Sequence, residues 1–246
     1  MSEQPTLVLV HGAFADASSF GPVTERLIDA GFTVAAPPVF NRSLLGDAAY
    51  IRSFVEQIDG PVVLVGHSYG GAVITVAGVA DNVIGLVFLN AYALEEGESL
   101  GELQGGFADS PLAAKLVYAP YPIAGSSETG TDVSVAVDSF GDIFAAGVPE
   151  RDVKILAVSQ RPLAAIAFEE AATAAAWKTK PGWGIVSTKD RTINPDVERF
   201  GYKRAGLRKV VERESSHLIM LTLPDEVTQF ITDAVADFVR EPAAVA

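Results

Sequence analysis

Ser68 stands in Gly66-His67-Ser68-Tyr69-Gly70-Gly71, between the apolar run Pro61-Val62-Val63-Leu64-Val65 and the small-residue stretch Ala72-Val73-Ile74-Thr75-Val76-Ala77. A serine with glycines two residues to either side, entered from a strand and left by a helix, has the G-x-S-x-G spacing of a nucleophile elbow. Such a turn holds the hydroxyl clear of the backbone, at the carboxyl edge of a sheet and beside a helix amino terminus. Free amides and the helix dipole there favour developing negative charge. The chemistry that suits this place is acceptance of an acyl group. A serine hydroxyl is too weakly acidic to attack unaided, and imidazole, with a pKa near neutrality, is the suitable base. The chain has three histidines. His11 follows the first apolar run and reads as structural, and His67 directly precedes the serine, so its side chain points into the fold. His217 is left as the base, in a loop after the last strand on the same edge. The imidazolium needs an acceptor to fix its tautomer. Asp190, in the loop leaving the preceding strand, is placed to supply it, whereas Asp81 and Asp225 sit at helix boundaries.

The elements that must hold these residues are legible as apolar runs. Thr6–Val10, Phe32–Ala36, Pro61–Val65, Val83–Leu89, Trp183–Ser187 and Arg208–Glu212 read as strands, most of them buried on both faces as in parallel sheets. Helices are expected at Pro22–Ala30, Asp47–Ile58, after Ser68, and from Pro224 to Arg240. A further helix starts at Asn194-Pro195-Asp196-Val197-Glu198, where a capping asparagine and first-turn acids account for Asp196 without catalysis. Strand alternating with helix predicts an α/β fold with a mostly parallel sheet of about six strands, covered on both faces. The loop His11-Gly12-Ala13-Phe14 after the first strand can turn sharply and leave the amide of Ala13, or that of Phe14, directed at a substrate oxygen. Between about residues 95 and 180 the pattern breaks into glycine- and proline-bearing loops with short helical stretches at Ser139–Ala146 and Leu163–Trp177. With no clear sheet strand in it, this segment reads as a helical lid inserted into one domain spanning 1–246. Residues 241–246 read as a frayed tail.

The chain has 246 residues, 49% of them hydrophobic, enough for a large core. Thirty-one acidic against 18 basic residues leave a formal charge of -13, which repels nucleic acid and anionic membranes. The absence of cysteine excludes disulfides, thiolate metal sites and a cysteine nucleophile. No histidine and carboxylate cluster has ligand spacing and no phosphate-cradling loop is present, so neither a metal nor an organic cofactor is expected. The amino terminus lacks a basic region and a signal core, and no run reaches transmembrane length. These features read as a soluble cytoplasmic protein acting on a small molecule, with room for a homodimer.

The order serine, acid, histidine, with the elbow and the His-Gly loop, resembles the α/β-hydrolase fold superfamily over nearly the whole chain. Within it the sequence is most similar to the methylesterase and hydroxynitrile lyase group, which shares a first strand ending in His-Gly-Ala and a Gly-His-Ser-x-Gly-Gly elbow. The resemblance implies Ser68 as nucleophile, His217 as base, Asp190 as its partner, and the amides of Ala13 and Tyr69 as oxyanion hole. With only five residues before the first strand, the antiparallel hairpin that opens larger members is expected to be missing. Dehalogenases and epoxide hydrolases of the fold carry aspartate at the apex, and dienelactone hydrolases cysteine. The plant lyases carry threonine after the first-loop histidine and lysine after the catalytic one, where this chain has Gly12 and Leu218. That implies hydrolysis of a carboxylic ester or lactone, and the scarcity of cations in the insertion suggests a neutral one. A lyase or other proton-abstracting enzyme, or a small-molecule binding protein, are the alternatives.

Overall fold

Runs of β-branched and aliphatic residues without polar alternation need a sheet covered on both faces, and they occupy one in the computed structural model, which describes residues 4–240. In chain order the first half comprises β1 (Thr6–Val10), α1 (Gly21–Asp29), β2 (Val34–Ala35), α2 (Leu44–Glu56), β3 (Val62–His67), α3 (Tyr69–Ala77) and β4 (Val83–Leu89). An insertion follows, with α4 (Leu100–Gly105), β5 (Leu116–Pro122), β6 (Thr129–Val135), α5 (Val137–Ile143), α6 (Glu150–Val158), β7 (Leu163–Ala164) and α7 (Ile166–Glu169). The chain then closes with β8 (Gly182–Ser187), α8 (Pro195–Arg204), β9 (Lys209–Arg213), α9 (Ile219–Thr222) and α10 (Pro224–Arg240). The main sheet has six strands in the order β2-β1-β3-β4-β8-β9, every neighbouring pair parallel. It has no antiparallel opening hairpin among the described residues. The centre is the driest part: Leu7 to Val10, Val62 to Val65 and Leu86 to Leu89 have no measurable exposure. The apolar stripe of α10, Val227, Phe230, Ile231, Ala234 and Phe238, is buried. No helix among the described residues is long and apolar enough to cross a membrane.

The insertion departs from the expected run of helices. β5, β6 and β7 form a three-stranded antiparallel sheet, in register from Leu116↔Val135 to Pro122↔Thr129. Pro120 and Pro122 are tolerated because β5 is an edge strand, where a missing N–H breaks no ladder on the open side. The helix expected at Leu163–Trp177 is also broken up. Leu163 and Ala164 pair with β6, and the Ala164 N–H donates to the Asn41 carbonyl at 2.8 Å, so tertiary pairing overrides the local preference of an alanine-rich stretch. Only one turn, Ile166–Glu169, is helical before Glu170 turns extended. The expected tail at 241–246 lies outside the described residues.

Parallel strands in one sheet bring their carboxyl ends to one edge, and α3 must leave that edge immediately above β1. A Cβ on Gly70 would lie 2.2 Å from the Val10 carbonyl oxygen, and one on Gly66 would lie 2.6 Å from that of Gly70. Both glycines are therefore required by backbone contact, which no side-chain rotation relieves. Gly70→Ala should cost at least about 2 kcal/mol, roughly 4–8 °C in melting temperature for a chain of this size. Gly105→Ala, where an added methyl meets nothing within 4 Å, should be neutral or slightly stabilising. Melting curves followed by circular dichroism check both; equal losses would contradict the packing account.

Candidate active site

Ser68 has φ 55° and ψ -124°, a region that non-glycine residues enter only when surrounding structure forces them. The force comes from β3 running into α3 with no intervening loop, and the result is a serine in the lining of a cavity. His217 follows β9 by four residues and is fully buried, as is the Asp190 side chain. The His217 Nδ1–H donates to Asp190 Oδ2 at 2.6 Å. The other oxygen, Oδ1, accepts from the Thr192 and Ile193 amides at 2.7 and 3.1 Å, so the carboxylate is held from both sides. This pairing leaves the lone pair on Nε2, a buried atom with no hydrogen-bond partner. Ser68 Oγ and His217 Nε2 do not hydrogen-bond to one another, a contact that in unliganded sites commonly tightens only once substrate is bound. The ring of His67, the residue before Ser68, has its centroid 4.6 Å from that of His217. Asp196 is elsewhere, exposed, its carboxylate paired with Arg199 at 2.8 Å.

Two candidate amides converge on the same place. The Phe14 N–H is committed to the Arg161 carbonyl at 3.0 Å, whereas the Ala13 N–H has no acceptor among the described residues. The Tyr69 N–H stands at the first position of α3, among the amides that no helical carbonyl reaches. Ala13, Ser68 and Tyr69 all line one cavity of about 280 Å³, at the small end of ligand clefts. Most of the rest of its wall comes from the insertion, with Leu100, Leu112, Leu163 and Phe168 among its apolar members and Gln104 and Asp109 among its polar ones. No lysine or arginine lines it.

Burial shifts the groups behind the cavity toward their uncharged forms. His11 lies below its ordinary pKa chiefly through desolvation, with its Nδ1–H on the Gly12 carbonyl and its Nε2 accepting from the Val39 amide. His67 is held well below its ordinary value by burial and then by the neighbouring His217. The Tyr69 hydroxyl donates to Asp47 Oδ2 at 2.8 Å, which ties the residue after Ser68 to α2. Burial raises Asp47 despite that hydrogen bond, and raises Tyr69 well above its usual value. Glu198 is a first-turn acid of α8, as the sequence predicts, but it is buried with both oxygens unpartnered, and burial together with Asp190 pushes it well above the usual carboxylate range. Asn90, just past β4, also escaped the sequence reading. The only signal was its place at the end of a buried strand, where asparagine tolerates the φ of 46° that it adopts.

A family model described as the alpha/beta hydrolase family matches residues 7–230. The chain belongs to the alpha/beta hydrolase family. Among curated proteins, this chain is 37% identical over 109 residues to the carbendazim hydrolyzing esterase of Nocardioides sp. (strain SG-4G), over 38% of this chain and 44% of that one. It is 29% identical over 134 residues to protein phosphatase methylesterase 1 of Schizosaccharomyces pombe (strain 972 / ATCC 24843), over 45% of this chain and 39% of that one. The chain thus spans less than half the length of these curated relatives. A crystal structure of polyneuridine aldehyde esterase superposes with a TM-score of 0.81 at 19% identity, covering 94% of this chain and 99% of that one, which shows the shared fold.

Glu198 offers a pH test with a definite sign. Its folded pKa is raised, so the stability it contributes is present below its unfolded value and is lost as pH rises through the folded one. Glu198→Gln removes that loss. The variant should gain stability relative to the parent as pH rises from 5 to 8, by at most about 1.4 kcal/mol per pH unit. Urea unfolding of both proteins across that range measures it, and a difference that is flat or falls with pH would contradict the buried, neutral assignment.

Proposed function

We propose that this hydrolase cleaves a small neutral carboxylic ester or lactone through an acyl-enzyme on Ser68. The observation that carries the reading is the His217–Asp190 pair, fully buried and leaving Nε2 free, on the edge where Ser68 is held in a strained elbow. In the first half-reaction His217 Nε2 takes the Ser68 proton as Oγ attacks the carbonyl carbon. The Ala13 and Tyr69 amides receive the resulting oxyanion. His217 returns the proton to the departing alkoxide, and the alcohol leaves. In the second half, water gives a proton to His217 and attacks the acyl carbon. The Ser68 oxygen then departs with that proton and the carboxylic acid is released. Asp190 holds the Nδ1–H throughout and stabilises the imidazolium without accepting its proton.

The substrate class follows from the wall. A cavity without cations, mostly apolar and bearing one carboxylate, offers nothing to a phosphate or carboxylate on the substrate and disfavours it by charge. Its size suits short acyl and alcohol groups. That two curated relatives are named esterases supports the same bond type.

A panel of chromogenic esters and lactones should show turnover of short neutral members and little of anionic ones. Ser68→Ala should lower kcat by about three orders of magnitude or more. Asp190→Asn, which puts a donor where an acceptor is needed, should lose on the order of 10⁴-fold, as the same change does in a serine protease. Asp196→Asn should stay near the parent. A folded, active Asp190→Asn beside an inactive Asp196→Asn would move the acid along the chain, and a fully active Ser68→Ala would end the acyl-enzyme reading. Activity should survive exhaustive chelation with EDTA.

A further inference from the structure

The main-chain carbonyl of His217 is an unusually well-occupied acceptor. It takes the ring N–H of His67 Nε2 at 3.0 Å and the side-chain amide of Asn90 at 2.9 Å, one donor for each lone pair. The same Asn90 amide also reaches the Ser216 carbonyl at 3.3 Å. His67 is the last residue of β3, and Asn90 immediately follows β4, with its own N–H on the Ile185 carbonyl at 3.0 Å. Two central strand ends therefore grip a loop that β9 alone would leave at the sheet's border. We propose that His67 and Asn90 are positioning residues that fix the His217 imidazole by clamping its backbone carbonyl, with the His67 ring at 4.6 Å and the Phe144 ring at 4.9 Å as the walls between which it rests.

A core-filling role accounts poorly for His67. Its Nδ1 is buried without a partner, and a Cβ on Gly12 would meet it at 3.3 Å, so no acceptor-seeking group fits there. The rings of Phe20, edge-on at 6.5 Å, and His217, at 4.6 Å, lie beside it. Phenylalanine would fill this space without the desolvation cost of an idle nitrogen. What phenylalanine cannot supply is the Nε2–H. A carbonyl cannot donate, so the proton must sit on Nε2, and burial keeps the ring neutral in that tautomer. Asn90 is suited to its task in a second way, since its φ of 46° is one that asparagine adopts more readily than most residues.

The kinetic consequence rests on the ester-hydrolysis reading, and the variants separate a clamp from a filler by ranking in opposite directions. His67→Phe keeps a ring and loses the donor; His67→Gln loses the ring and keeps an N–H. A clamp predicts that His67→Phe melts at or above the parent while its kcat falls by about tenfold to a hundredfold with KM little changed, the scale of loss that a slight misplacement of a catalytic group produces. His67→Gln melts lower and recovers much of the rate. Asn90→Gly, which keeps the backbone conformation and removes the other donor, should lower kcat likewise. A His67→Phe enzyme within threefold of the parent, or a His67→Gln enzyme slower than it, would overturn the proposal. If the parent turns over no ester at all, the ester reading fails but the clamp is still tested. The NMR resonance of the proton between His217 Nδ1 and Asp190 should then be sharp in the parent, broadened in His67→Phe and restored in His67→Gln. A resonance unchanged in His67→Phe would overturn the clamp independently of turnover.

Discussion

Everything at the carboxyl edge depends on how closely α3 can pass over β1. The Gly70 backbone occupies a place where a methyl group would lie 2.2 Å from the Val10 oxygen. Because the chain passes there, β3 turns into α3 without a loop, and Ser68 must take up its left-handed conformation. The same close passage sets the first amide of α3 beside the loop after β1, so that Ala13 and Tyr69 line one cavity with Ser68. Strain of this kind costs on the order of 1–3 kcal/mol, an amount that the dry centre of the sheet can offset. Placing the serine by backbone contact has a functional merit, since backbone cannot rotate away as a side chain could.

Electrostatics complete what packing begins. The three histidines lie within a short reach of the elbow, yet they are treated differently. His11 and His67 are bonded through one tautomer each and kept neutral by burial. His217 alone has a carboxylate on Nδ1. The result is a region where only one imidazole has a partner ready to stabilise a positive charge. Its neighbours can orient it without competing for the proton.

How much of this was legible in the sequence varied with how local the cause was. The elbow could be read because its glycines and serine lie within five residues. That Asp190 and His217 share one edge is legible because parallel strands deliver successive loops there, and the two side chains meet. The strands of the insertion could not. β5 carries two prolines and is largely exposed, and β6 contains Gly130 and Asp132, so neither shows the apolar runs of the main sheet. The alanine-rich stretch after Leu163 has a helical local pattern, and its pairing partners, Asn41 and β6, which decide otherwise, are distant in sequence. Asn90 and the second task of His67 were invisible for the same reason: each is defined by a carbonyl more than a hundred residues away. Glu198 was hidden by a sound local explanation as a first-turn acid.

The central claim is that the strained serine itself takes the acyl group. The most direct measurement is an acid quench of the enzyme during turnover of a p-nitrophenyl ester, followed by peptide mapping of the trapped species by mass spectrometry. The account predicts one acyl group per chain, carried by the peptide containing Ser68 and absent from Ser68→Ala. Steady turnover with no trapped acyl group, or an acyl group on a different residue, would contradict it.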